Sequence, residues 1–238
     1  VTSIRKGVCF DTGGLNLKPG NYMELMKKER GGAGIAIALA DALMSAGFDI
    51  QLRLLVGAVE NAIGPDAFRP GDVLPSSKGL SVEIGNTDAE GRLILADMLA
   101  EADTETPALM VDFATLTGAA RVAMGPEVVP FYTHDDALAA DLQQRSHEIH
   151  DPMWRLPLWA GYQGWLESQI ADVNHISNSP MAGSITAALF LSKFVEPTTS
   201  WMHCDVYAWN VKARVGRPVG GEAQALRSIY SYVEEKFG

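Results

Sequence analysis

The sequence predicts an α/β domain built on a mostly parallel sheet flanked by helices. Three observations carry this reading. Strand-like and helix-like segments alternate along the chain. The strand interiors are apolar throughout, as in sheets covered on both faces. The polar, glycine-rich segments directly follow strands, where ligands sit in such sheets.

Taken in order, residues 3–10 form a strand that runs into the glycine-rich loop 11–14. Residues 32–46 are small, apolar and almost uncharged, which predicts a helix packed on all sides. Gly47 is the natural stop for it. Residues 51–59 (QLRLLVGAV) are a second strand, and 64–77, rich in proline and glycine, an ordered loop. A short strand at 80–84 precedes a helix at 89–101, with Thr87 or Asp88 available to cap it. Residues 108–113 (ALMVDF) make an apolar strand, and 136–149 a polar amphipathic helix. An apolar helix at 183–194, a strand at 201–208 and an amphipathic helix at 222–237 complete the series. With no repeat, linker or low-complexity tract, residues 1–238 read as a single domain.

Composition narrows the function. Hydrophobic residues make up 47% of the chain and charged residues 20%, enough to bury a sizeable core. The net charge of −10 repels polyanions, which argues against nucleic acid as a partner. No apolar run reaches the roughly 18 residues of a membrane span. Cys9 and Cys204 form no CxxC pair and read as buried thiols in a reducing compartment. A soluble cytoplasmic protein is the expectation. The chain also starts almost on its first strand, as a fragment would.

Three segments concentrate chemistry. In KGVCFDTGG, Lys6 and Asp11 bracket a strand end, the glycines allow a sharp turn, and Lys18 follows in LKPG. In NTDAEGRL, Asp88, Glu90 and Arg92 alternate across a strand-to-helix turn. Helix capping and the helix dipole account for the two acids but not for the arginine. In MKKERGG, Glu29 precedes a Gly-Gly step, although on composition alone this is a solvated charge run. Asp11, Glu29, Asp88 and Glu90 around one site would repel one another, and two divalent cations would neutralise them. The five histidines are scattered without HExxH, and His175 and His203 read as structural.

These motifs, with ENAIGPDAFRPGDV and DFATLTGA, resemble the signatures of the cytosol (leucine) aminopeptidase family, in the family's order. NTDAEGRL is the most specific of them. The resemblance covers nearly the whole chain from Lys6 and implies a zinc-peptidase-like catalytic domain, with the family's N-terminal domain absent. It implies a metal-dependent exopeptidase of leucine-type preference, acting on peptides with a free N-terminus. Lys6, Asp11, Glu29, Asp88 and Glu90 would hold two divalent ions, zinc or manganese. Lys18 would stabilise the oxyanion, and Arg92 would hold a bicarbonate acting as general base. Met26, Thr115, Leu116 and Gly118 would line the pocket for the first side chain. A homo-hexamer is implied as well. One position departs from the family pattern: Glu29-Arg30 stands where the family has aspartate and an apolar residue. Arg30 would compete for the Glu29 oxygens and weaken the metal shared with Lys6. That departure supports the alternative of a catalytically impaired member acting as a binding scaffold.

Overall fold

The computed structural model describes residues 1–238. Strand β1 (Thr2–Lys6) leads through the glycine-rich loop to α1 (Gly20–Met23), a 3-10 turn (Met26–Arg30) and α2 (Gly31–Ala46). Strands β2 (Arg53–Gly57), β3 (Val73–Pro75) and β4 (Ser81–Glu83) follow. A 3-10 turn (Thr87–Ala89) then runs into α3 (Glu90–Asp103). Next come β5 (Met110–Ala114), α4 (Gly118–Met124), β6 (Val129–Tyr132), α5 (Asp136–Glu148) and β7 (Met153–Arg155). The chain closes through a 3-10 turn (Ala160–Leu166), β8 (Val173–Asn174), α6 (Gly183–Ser192), β9 (Trp201–Asp205), β10 (Trp209–Asn210), β11 (Gly220–Gly221) and α7 (Leu226–Phe237).

The central sheet has the order β2-β1-β5-β9-β6-β7. Every pairing is parallel except β6 with β9. Every residue of β1, β5 and β9 is buried, as strands covered on both faces must be. Alternation along β5 sends Val111 and Phe113 into one core and Met110 and Ala114 into the other. The first core packs against α2, α5 and α7 through Leu39, Leu142 and Val233. The second packs against α3 and α6 through Leu95, Leu99 and Phe190. Each such fully buried side chain contributes about 1.5–3 kcal/mol.

The differences from the sequence expectations have local causes. Strand β1 stops at Lys6 rather than residue 10. Beyond it, isolated bonds such as Cys9 N–H to the Val59 carbonyl and the Asp11–Asn61 bridge keep the chain extended without a ladder. Cys9 is consequently only half-buried, whereas Cys204 is buried as expected. Helix α2 covers the sheet with one face and leaves Ile37 and Met44 exposed, so its uniform composition misstated its burial. Its stop at Gly47 is as expected, with φ of 74°. Neither Thr87 nor Asp88 caps α3, which has Ala89 at its start without a side-chain cap; Asn86 caps the preceding 3-10 turn by accepting from Asp88 N–H. Helix α7 starts at Leu226, because Ala225 at φ 62° breaks the helical path. Strand β6 was hidden by Pro130 and β7 by its brevity.

Candidate metal centre

The carboxyl ends of β1, β5 and β9 share one edge of the sheet, and the charged residues collect there. Lys6 is the last residue of β1, Glu29 lies in the turn entering α2, and Glu90 opens α3. The carboxylates of Asp11, Glu29 and Glu90 offer oxygens within 4.8 Å of one another, all buried. Two glycines allow this approach. A Cβ at Gly32 would lie 2.5 Å from the Phe113 carbonyl oxygen, and one at Gly91 would lie 2.5 Å from Lys6 Cδ. Both turns can therefore press against the strand ends.

Ion pairs organise the cluster. Lys6 Nζ lies 2.5 Å from Glu29 Oε2 and 2.9 Å from Glu90 Oε1, and donates to the Thr115 carbonyl at 3.2 Å. Burial alone would push its ammonium down, but Glu29 and Glu90 outweigh burial and hold it above its ordinary value. For Glu29 burial pushes up, while Lys6 and Lys28 overcome it and hold the carboxyl down at about 2. Thr115 Oγ1 also donates to Glu29 Oε2 at 2.7 Å. Glu90 goes the other way: burial raises it, and its Oε1, although close to Lys6, has no aligned donor. Lys18 Nζ lies 2.9 Å from Asp11 Oδ2 and also pairs with Asp88. Asp11 Oδ1 accepts from Gly13 N–H at 2.9 Å and from Asn61 Nδ2 at 2.8 Å.

Most of the expected residues converge on one cavity of about 520 Å³. Lys6, Asp11, Lys18, Glu29 and Asp88 line it, together with Met26, Thr115, Leu116 and Gly118. Asp88 is outside the three-carboxylate group and is held by Lys18. Glu90 does not line the cavity, and neither does Arg92. Arg92 is buried, donates from Nη1 to the His175 carbonyl at 2.7 Å, and leaves Nε without a partner. Burial pushes its guanidinium down to about 10.

The expected contest between Arg30 and Glu29 does not occur. Arg30 is exposed and donates from Nε to the Lys27 carbonyl, and Lys28 takes the second Glu29 oxygen. A one-residue step in a 3-10 turn swings the side chain by a third of a turn, which carries Arg30 outward. Sequence reasoning also missed Asn61, although it falls inside ENAIGPDAFRPGDV, and Asp205. The latter accepts from the N–H groups of Leu116 and Thr117 at 3.0 and 3.1 Å and fixes that loop. His175 is satisfied by backbone on both ring nitrogens. His203 contacts Asp112 through Nδ1 at 2.5 Å but leaves Nε2 unpartnered.

The sequence profile described as the cytosol aminopeptidase family, catalytic domain, matches residues 1–230. The chain belongs to that family. It is 46% identical over 231 residues to a probable cytosol aminopeptidase of Paraburkholderia xenovorans, which covers 95% of this chain and 45% of the relative. The crystal structure of the cytosol aminopeptidase from Coxiella burnetii is 49% identical and superposes with a TM-score of 0.97. That match covers 100% of this chain and 52% of the other. The bottromycin maturation enzyme BotP in complex with Mn is 36% identical with a TM-score of 0.92, covering 98% of this chain and 53% of that one. The chain thus spans about half the length of the relatives it matches.

Membership in a metal-dependent peptidase family agrees with the donors present. Clustered carboxylate oxygens suit hard and borderline divalent cations, and the amine of Lys6 adds a nitrogen. Glu90 Oε1 accepts no aligned hydrogen bond and is faced by the Lys6 ammonium at 2.9 Å, a positive charge that a divalent ion would replace. No helix of the fold is long and apolar enough to cross a membrane.

Proposed function

We propose that the protein is a metal-dependent aminopeptidase that removes N-terminal residues, with a leucine-type preference, from peptides with a free amino terminus. The observation that carries this reading is the group of three buried carboxylates, flanked by two lysines, of which Asp11 and Glu29 line a cavity with partly apolar walls. Lys6, Asp11, Glu29, Asp88 and Glu90 would hold two divalent ions, zinc or manganese. When bound, these supply Lewis acidity at the scissile carbonyl and a nucleophile at neutral pH.

The chain's own residues do the rest. Lys6 would hold an ion through its Nζ only as the neutral amine, its proton passing to solvent as the dications take over Glu29 and Glu90. Lys18 Nζ keeps its proton and faces the developing oxyanion, a role supported by its place between Asp11 and Asp88 at the cavity edge. Arg92, with its unpartnered Nε, would hold a bicarbonate as proton acceptor. Met26, Thr115, Leu116 and Gly118 would wall the first side chain, and Asp205 keeps the Leu116–Thr117 loop in place. Cytoplasmic location and a homo-hexamer are part of the same proposal and rest on the family resemblance.

The test is hydrolysis of leucyl-p-nitroanilide during titration with Mn²⁺ or Zn²⁺, with bound metal counted in the same samples. Glu90→Gln should lower activity by about 10³ or more and reduce bound metal. Lys18→Ala should lower kcat by roughly 10²–10³ and leave bound metal in place. The scaffold alternative drew on Glu29 standing for aspartate and on Arg30 beside it, and of these Arg30 makes no pair with Glu29. A chain that takes up fewer than two ions and leaves the leucyl amide intact would restore it.

A further inference from the structure

The cavity lining also carries two cations outside the proposed ligand set: Lys28, which pairs with Glu29, and Arg121. Tyr207, on the segment after β9, faces two cations from different parts of the chain. Lys28 Nζ, from the turn before α2, lies 5.6 Å from the centre of its ring. Arg121 Cζ, from α4, lies 5.0 Å from the same centre. All three residues line the cavity. Two cations within about 6 Å of one ring are each attracted to its π face but repel one another. The arrangement is therefore poised for an anion rather than self-sufficient.

The remaining partners point the same way. Arg121 is exposed and makes no ion pair, so its guanidinium is open to a ligand in the cavity. Lys28 is nine-tenths buried, and its one acidic partner is Glu29 Oε1. That oxygen belongs to a carboxylate already engaged by Lys6 and Thr115 and proposed to face a cation. Asp205, the acid nearest in the chain to Tyr207, is spent on Leu116, Thr117 and Ser184. Lys27 sits 5.8 Å over the ring of Trp209 and extends the positive rim outward.

We infer that Lys28 and Arg121, set around Tyr207, bind a carboxylate of the peptide substrate and so determine which peptides the site prefers. The inference rests on the aminopeptidase reading and specifies its substrate class. A guanidinium pairs with a carboxylate through two parallel N–H···O bonds, and the Tyr207 ring fixes the plane in which Arg121 presents them. Two sources supply such a carboxylate in a short peptide. One is an acidic side chain on the first residue. The other is the C-terminal carboxylate of a dipeptide whose first residue is apolar.

The experiment compares kcat/KM for matched pairs on the Mn²⁺-loaded protein. Aspartyl- against leucyl-p-nitroanilide reads the first source, and Leu-Gly against Leu-Gly-amide reads the second. The Leu-Gly ratio should favour the extra carboxylate by about tenfold or more, whereas a tenfold preference for the aspartyl substrate would place the carboxylate on the first side chain and overturn the leucine-type preference. Arg121→Gln should collapse that ratio by about tenfold, acting on KM more than on kcat, and Lys28→Met should do the same. Arg121→Lys should restore most of it, which a merely structural role for Arg121 would not predict. If neither ratio exceeds one in the unmodified protein, or if both survive Arg121→Gln with the fold intact by melting temperature, the inference is wrong. If leucyl-p-nitroanilide and Leu-Gly-amide are not cleaved at all, the aminopeptidase reading fails and takes this inference with it.

Discussion

Arg5 and Lys6 are neighbours in β1, and both are cut off from water, at 0% and 3% exposure. Their surroundings nevertheless treat charge in opposite ways. Lys6 meets two carboxylates, which more than offset burial and hold its ammonium above the ordinary value. Arg5 meets the Phe113 ring at 4.7 Å and the Ser3 hydroxyl, and leaves Nε and Nη1 without partners. Burial pushes its guanidinium down to about 9, only partly opposed by Asp112 and Cys204. Alternation along the strand puts the two side chains on opposite faces of the sheet. Lys6 thus reaches the edge where Glu29 and Glu90 arrive, while Arg5 enters the core shared with Phe113. Burial alone does not set the charge state of these groups. The partners that other segments bring to each face do.

The sharpest way to break the comparison is to remove each cation in turn. Without added metal, Lys6→Met leaves two buried carboxylates facing each other and should cost about 3–5 kcal/mol. For a domain of this size that is a drop of roughly 6–20 °C in Tm, readable by thermal unfolding in chelator. A loss no larger than that of a surface substitution would mean that the Lys6 pairs contribute nothing to the fold.

His175 is a third buried base and sharpens the rule, because its ring meets backbone groups rather than acids. It contacts the Asn86 carbonyl oxygen at 2.9 Å and the Gly85 N–H at 3.1 Å. Burial, with the Arg92 charge behind it, lowers its pKa from 6.5 to about 4. Between those values the unfolded chain binds the proton and the native chain does not. Stability should therefore fall as pH drops from 6.5 to about 4, by up to about 3 kcal/mol from this group. His175→Gln should remove that part of the slope in denaturant unfolding at several pH values. A difference between the two proteins that is constant with pH would contradict the assignment.

Gly91→Ala probes how finely Lys6 is placed. The added methyl would meet Lys6 Cδ and Cε at 2.5 and 2.6 Å, so the ammonium must shift while the helix survives. Activity on leucyl-p-nitroanilide should fall by about 10², as expected for a displacement on the order of 1 Å, with Tm little changed. Activity close to that of the unmodified protein would show that the position of Nζ is not critical. The smallest effect belongs to Arg5→Met. It exchanges an under-satisfied buried charge for a side chain of similar length, so stability at neutral pH should hold or rise slightly. A drop in Tm comparable to that of Lys6→Met would overturn the contrast between the two faces.

Much of this was legible in the sequence. The apolar strands 108–113 and 201–208 and the helices at 32–46, 89–101 and 136–149 were recognisable because their patterns are local. KGVCFDTGG and NTDAEGRL likewise marked Lys6, Asp11, Asp88, Glu90 and Arg92, because the glycines and acids lie within a few residues of one another. Partner choice was not local. Whether Glu29 met Arg30 or Lys28 depended on the rotation of a five-residue turn against the end of β5, where Thr115 fixes one oxygen. The antiparallel entry of β6 beside β9 arises from a four-residue strand containing a proline. The meeting of Lys28, Arg121 and Tyr207 joins three distant segments, and the MKKERGG run that holds Lys28 gave no sign of the other two. By itself the sequence determined the fold class, the candidate charged residues and the order in which they appear. The tertiary structure decided which charges face each other and at what distance. Over separations of a few ångströms, Coulomb and hydrogen-bond energies change too steeply for residue identity alone to fix them.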